Sequence, residues 1–318
     1  MEAEPGARRC CLHINDPDHL FDKGLKVEAE RVADELTRSG FPIRVDIRYG
    51  RGDETSQLQQ LEADRHADPR PSLFIVIPIN KDAVYRILSG IVDAHEDVTC
   101  VFLHQPLARI QSTERQAHGS RLFSVAADQA EIGRIQARQF DALLPGGAGD
   151  ALYVQGRATS FATAERMKGL LAELPRTRGV RLAGYRVYGD WSPESVRPAL
   201  DGWLEAGGRL DWIQAAGAQS DDMALALSAL LREKGCSVPV IGVDGLEAGK
   251  RAVSEGVLAA TVVQPLGVGQ ALRTYRDVLV RKSAKGLIPE DGNITLEPGS
   301  YPPLPELVTR LPYAPHRT

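Results

Sequence analysis

The chain has 318 residues, more than the roughly 250 at which a single hydrophobic core stops growing, so two domains are expected. With 43% hydrophobic and 25% charged residues and no apolar run near the ~18 residues of a membrane span, the composition is that of a soluble globular protein and no membrane insertion is expected. A formal charge of −4, a pI near 6.0 and the lack of a basic cluster interleaved with aromatics exclude a general attraction to polyanions, so nucleic acid is not expected as a direct partner.

From the amino end, "MEAEPGARRCCLHIND" passes from acidic residues into a first strand, "CCLHI". It lacks the basic, apolar and small-residue sequence of a signal peptide. The expectation is a cytoplasmic protein, with export as the alternative if the natural start lies upstream. A helix over "FDKGLKVEAERVADELTRSG" follows and stops at Gly40, a left-handed C-cap position. Then come "IRVDIRY", a helix capped by Asp53, "SLFIVIP", a helix capped by Asn80, and "CVFLH". A polar stretch, "QSTERQAHGSR", predicts a break between halves at about His118 to Arg121.

The second half repeats the alternation: "LFSVA", a helix over 129–144, "ALYVQG", a helix over 161–174, "VRLAGYRV", a helix over 193–205 and the strand "RLDWIQAAG". It continues with a helix over 220–234, "VPVIGVD", a helix over "LEAGKRAVSEG", and "LAATVVQ". One more helix, "GVGQALRTYRDVLVRKSAKG", precedes a strand in "GNITLEP". The proline-rich "YPPLPELVTRLPYAPHRT" reads as a surface wrap or frayed end rather than a regular element. Strands alternating with amphipathic helices define an α/β protein with parallel sheets.

Cys10, Cys11, Cys100 and Cys236 have neither metal-binding nor redox spacing and read as small buried hydrophobes. No metal or cofactor is expected. In open parallel sheets ligands bind beyond the carboxyl ends of strands, which points to Asn15, Asn80, His104, Gln105, Asp128, Ser220, Asp244 and Gln264. With Arg166 nearby, this set is rich in groups that donate and accept in one plane, as a ligand with many hydroxyls requires. Trp191 suits either the apolar face of a sugar ring or a half-buried core position.

Enzyme motifs are not met. Gly146, Gly147 and Gly149 precede a strand rather than leading from a strand into a helix, so they form a turn and not a phosphate loop. "AAGAQSDD" is not a nucleophile elbow. Asp222 reads as helix-capping, with Asp221 left open beside a strand tip. His104 has no identifiable nucleophile to activate and reads as a hydrogen-bonding residue.

Four segments, "FSVAADQAEIGRIQARQF", "TSFATAERMKGL", "SDDMALALSALLREKG" and "VPVIGVDGLEAGKRAVSEGVLAATVVQP", resemble type I periplasmic sugar-binding proteins. The likeness is to the ribose-binding branch, which shares its fold with lactose-repressor-type effector domains, and it extends from about Cys11 to Pro298. It implies two similar doubly wound lobes joined by three crossovers, closing by a hinge on a monosaccharide or similar polyol in the cleft. By the resemblance the ligand contacts are Arg166, Trp191, Ser220, Asp244 and Gln264, with His104 and Gln105 from "FLHQ", and Asn15 and Phe21 near the first strand. Where that branch carries an Asp-Arg pair this chain has His104 and Gln105, and Ser220 replaces its asparagine. The expected lobes are 8–120 with 265–288 and 121–264 with 289–300, followed by a tail over 301–318. The expected function is a non-enzymatic solute sensor with a signalling or transporter partner. The alternatives are the binding component of a sugar ABC transporter and an enzyme acting on a sugar.

Overall fold

The computed structural model describes residues 7–107 and 121–309. The chain divides into two compact units, Met1–Ala127 with Leu266–Leu296 and Asp128–Pro265 with Glu297–Thr318. It passes from one unit to the other three times, after Ala127, Pro265 and Leu296.

The first unit runs through β1 (Arg8–Ile14), α1 (Leu20–Arg38), β2 (Ile43–Tyr49), α2 (Glu54–Arg65), β3 (Leu73–Val76), α3 (Lys81–Ala94), β4 (Thr99–Leu103) and β5 (Leu122–Ala127). The second contains α4 (Gln129–Leu143), β6 (Gly149–Gln155), α5 (Phe161–Glu173), β7 (Val180–Tyr188), α6 (Val196–Glu205) and β8 (Ala215–Ala218). It continues with α7 (Asp221–Glu233), β9 (Val240–Asp244), α8 (Glu247–Ser254) and β10 (Ala260–Val263). The chain then returns to the first unit for α9 (Val268–Arg281) and β11 (Asn293–Leu296), and ends in the second with β12 (Gly299–Tyr301) and α10 (Leu304–Thr309).

Both sheets have six strands, in the order β11-β5-β4-β3-β1-β2 and β12-β10-β9-β8-β6-β7. All pairings in the first are parallel; in the second only β12, on β10, is antiparallel. The order reverses beside β1 and β6, so each unit has a switch point, between β1 and β3 and between β6 and β8.

Local chemistry accounts for these elements. The runs "LFIV" in β3 and "TCVFL" in β4 are buried at every residue, as strands covered on both faces must be. In α1, the buried residues Leu25, Ala29, Val32, Ala33 and Leu36 repeat at helical spacing. That helix ends as expected, with Gly40 at φ 86° and the Phe41 amide donating to the Leu36 carbonyl at 2.9 Å. Asp53 and Asn80 cap α2 and α3, accepting from Thr55 and Ser56 and from Ala83. One face of the first sheet packs under α1 and α9, the other under α2 and α3. After β10 the chain returns to the first unit, where α9 packs on the sheet beside α1.

Four expectations change. Leu122 to Ala127 pair with β4 and β11, so β5 belongs to the first unit and the first crossover lies at Ala127 rather than residue 121. His118, within the expected break, lies outside the described residues. Asn293–Leu296 pairs with β5, which moves residues 289–296 into the first unit. The stretch "RLDWIQAAG" yields only β8, because Leu210–Trp212 forms a 3-10 turn. The proline-rich segment is regular as far as Thr309: β12 pairs with β10, and Leu307 of α10 is buried in the core beneath α4. Residues 310–318 lie outside the described residues.

Candidate functional site

At the switch point of the second unit, Gln155 ends β6 and Gln219 follows β8. The Gly156 amide donates to Gln219 Oε1 at 3.0 Å, and Gln219 Nε2 donates to the Thr163 carbonyl at 3.3 Å. Arg166, on α5, rises into this corner and is only 3% exposed. Its Nε donates to Gln129 Oε1 at 2.7 Å, and its two terminal nitrogens donate to the Gln219 carbonyl and to Gln264 Oε1. A buried cation needs such partners, here one at each of its three nitrogens. Burial pulls the Arg166 pKa down, and the negative potential of Asp244, Tyr153 and Asp221 opposes it.

Two glycines put Arg166 at that depth. A Cβ on Gly133 would lie 1.9 Å from the Arg166 carbonyl oxygen, and one on Gly169 would lie 1.8 Å from that of Ala130. α4 and α5 therefore meet backbone to backbone, which aligns Gln129 with Arg166. α4 also turns Gln136 and Gln139 inward, where their side-chain amides donate to the carbonyls of Ala218 and Thr261 at 3.0 and 3.2 Å.

Asp244 ends β9 with φ 112°, a backbone conformation that side-chain-bearing residues rarely take. It is buried, and burial together with the adjacent Asp221 pushes its carboxyl well above the usual range, against the pull of Arg166. Gln264 follows β10, and its amide donates to the Asp244 carbonyl at 3.1 Å. Asp221, first residue of α7, is 1% exposed. Burial pushes its pKa up to about 7, although bonds from Thr261 and Gly245 favour the ionised form.

Trp191 lies beyond β7 with φ 84°. Its indole occupies the space left by the missing side chain of Gly156, where a Cβ would lie 2.3 Å from the ring, and its centroid is 5.4 Å from the Arg166 guanidinium carbon. It also packs against the core under α6 and α7, so the core position and the place at the site coexist in one side chain. Ser220 is the N-cap of α7, its Oγ accepting from the Met223 amide at 3.2 Å. The cap uses the Ser220 hydroxyl as an acceptor only.

In the first unit, Asn15 follows β1, and its buried Oδ1 has no hydrogen-bond partner among the described residues. His104 follows β4 with φ 63°, anchored by its amide to the Val125 carbonyl at 2.9 Å. Phe21 sits in the first turn of α1 and meets the His104 ring edge-on at 5.0 Å. Gln105 donates to the Pro78 carbonyl at 3.3 Å. Asp22, not singled out in the sequence, is buried there, accepts from the Asp16 amide at 2.7 Å and is pushed up to about 6 by burial.

Thus Arg166, Asp244, Gln264 and Trp191 gather in one unit, while Asn15, Phe21, His104 and Gln105 belong to the other. Asn80 and Asp128 cap helices, the Asp128 carboxylate accepting from the Glu131 amide at 2.8 Å. Gln129, Gln219 and Asp221 complete the network. Ending β8 at Ala218 makes Gln219 its tip, one residue before Ser220.

A family model described as periplasmic binding protein domain matches residues 16–274. The chain belongs to the periplasmic binding protein family. Among its relatives, the ribose import binding protein of Escherichia coli is 27% identical over 282 residues, 87% of this chain and 86% of that one. The xylitol-binding protein of Mycolicibacterium smegmatis is 28% identical over 121 residues, 37% of this chain and 34% of the relative. Among solved structures, a periplasmic binding protein of an ABC transporter from Actinobacillus succinogenes 130z, with bound D-allose, superposes with a TM-score of 0.75 at 17% identity, covering 92% of this chain and 96% of that one.

Proposed function

We propose that this protein is a non-enzymatic receptor for a small, neutral, polyhydroxylated ligand such as a monosaccharide or polyol. The observation that carries this reading is the corner of the second unit where Asp244, Gln264 and the buried Arg166 lie beside Trp191 at the carboxyl ends of the strands. Gln264 Oε1 accepts from Arg166, which turns its amide nitrogen into the available donor, and Asp244 supplies an acceptor. Each sugar hydroxyl needs both kinds of group when it leaves water. The names of relatives that bind ribose and xylitol support the same ligand class. Within the first unit, the corresponding strand-end candidates are Asn15, Phe21, His104 and Gln105.

A thermal-shift screen with D-ribose, D-allose, xylitol and myo-inositol, widened to other sugars, tests the reading. A ligand at about 100 times its Kd stabilises the native state by about 2.7 kcal/mol. Asp244→Ala is expected to abolish that shift while leaving the unliganded melting temperature close to wild type. A flat response of the wild type across the panel overturns the proposal.

For its cellular role, we favour a solute sensor whose ligand-bound state is read by a signalling partner. The second reading, a receptor that delivers ligand to an ABC transporter, is favoured by the descriptions of the E. coli relative and the D-allose-bound structure. Fractionation of cells carrying a tagged chromosomal copy separates the two, since the sensor is expected in the cytosol and the receptor outside it.

A further inference from the structure

Asp221 has a carboxyl group that cannot reach solvent, yet four elements are arranged around it. Its Oδ1 accepts from Thr261 Oγ1 on β10 at 2.7 Å, and its Oδ2 accepts from the Gly245 amide, just past β9, at 2.9 Å. Its own amide donates to Asp244 Oδ2 at 3.4 Å. Space for it exists because two neighbours lack side chains: a Cβ on Gly242 would lie 2.2 Å from Oδ1, and one on Gly249 of α8 would lie 1.9 Å from Oδ2. So α7, β9, α8 and β10 converge on one carboxyl, and the residue held between its two bonds to the β9 end is Asp244.

We propose that Asp221 is a positioning residue: by gripping the backbone beyond Asp244 and the Asp244 carboxyl at once, it holds the left-handed turn that aims that carboxyl at the ligand. The inference rests on the reading of Asp244 as a ligand contact. A left-handed aspartate is strained, and such a conformation persists only where its surroundings over-determine it. The Gly245 amide is the hinge of that constraint. Gly245 itself has φ 60°, and its Cα has no room for a side chain, since a Cβ would come within 2.6 Å of Val263 Cα. Asp221 touches no ligand, because its carboxyl is enclosed by protein on every side.

Four variants of the full chain test this: Asp221→Asn, Gly249→Ala, Thr261→Val and Thr261→Ser. Gly249→Ala leaves the carboxylate in place and improves helix propensity, but its methyl pushes Oδ2 off the Gly245 amide. Affinities for D-ribose, D-allose, xylitol and myo-inositol are measured by titration calorimetry, and exchange of the Gly245 amide is followed without ligand. Asp221→Asn, Gly249→Ala and Thr261→Val are expected to weaken binding roughly tenfold to a hundredfold and to speed Gly245 exchange. Thr261→Ser, which restores the hydroxyl, is expected to recover both. Wild-type affinity in Gly249→Ala and Thr261→Val overturns the proposal, as does a failure of Thr261→Ser to differ from Thr261→Val. If none of the four compounds binds the wild type, the sugar reading fails on its own, and Gly245 exchange decides the positioning role: an unchanged rate in Gly249→Ala and Thr261→Val rejects it. Should Asp221→Asn not fold, the glycine and threonine variants still decide between the two outcomes.

Discussion

His104, Trp191 and Asp244 stand just at or beyond the ends of β4, β7 and β9 with φ of 63°, 84° and 112°. Each conformation costs on the order of 1 to 3 kcal/mol in a residue with a side chain, so these strand ends are held where folding alone would not put them. The acids nearby add a second cost. The Asp221 pKa, about 7 in the folded chain, exceeds the unfolded value of about 3.9, so the native state binds its proton more tightly. Its contribution to stability is fully present below pH ~4 and is lost as pH rises through about 7. Urea denaturation is therefore expected to give a lower midpoint at pH 8 than at pH 5, and Asp221→Asn is expected to shrink that difference. Asp22, raised to about 6, acts in the same direction and keeps a residual slope. Arg166, Asp244 and Gln264 were legible in the sequence because each stands at a strand end or within a specific motif. Asp221 was left open because its role depends on Gly242, Gly249 and Thr261, which only the fold brings to it.

Among the elements, the pair α4 and α5 determines the depth of the buried arginine. Their closeness rests on Gly133 and Gly169, residues that in a helix read from sequence alone merely as weak propensity. Gly133→Ala forces a methyl onto the Arg166 carbonyl, so the helices must separate and Arg166 must tilt away from Gln264. The expected outcome is a loss of ~2 kcal/mol or more, within the range for overpacked cores, together with loss of the ligand-induced thermal shift. Gly202→Ala, on α6 where nothing lies within 4 Å of the added carbon, is expected to raise stability slightly, and unfolding curves of the two variants measure the contrast. Helix ends were the best-read features of the chain: Asp53, Asn80 and Gly40 all act as their chemistry predicts. Strand ends were read less well. "RLDWIQAAG" looks continuous, but its first half closes into a 3-10 turn in which Arg209 bonds Asp211 and lies 4.9 Å from the Trp212 ring centroid, a local arrangement that hydrophobic alternation does not reveal.

Over the whole molecule, two α/β units with largely parallel sheets, linked by three crossovers, were legible from the alternation of elements and the family motifs. The crossover positions were not, because β5 is held in the first unit by β11, a short half-polar strand about 170 residues further along the chain. The closing segment was underestimated for a different reason: its prolines argue against regular structure, yet Pro298 and Pro302 flank the edge strand β12 instead of interrupting it. A chain truncated after residue 298 loses the β12 pairing and the buried Leu307. It is expected to show faster amide exchange and earlier melting in the second unit, with the first unit close to wild type. The burial of Arg166 has one more consequence, felt in the solvent. A guanidinium buried in the unit and turned inward to carbonyl and amide oxygens is shielded from counterions, and a neutral ligand displaces none when it binds. Affinity is therefore expected to stay nearly constant from about 0.01 M to 1 M salt, although the Debye length falls over that range from about 30 Å to 3 Å; a steep salt dependence in calorimetric titrations would instead mark a charged ligand.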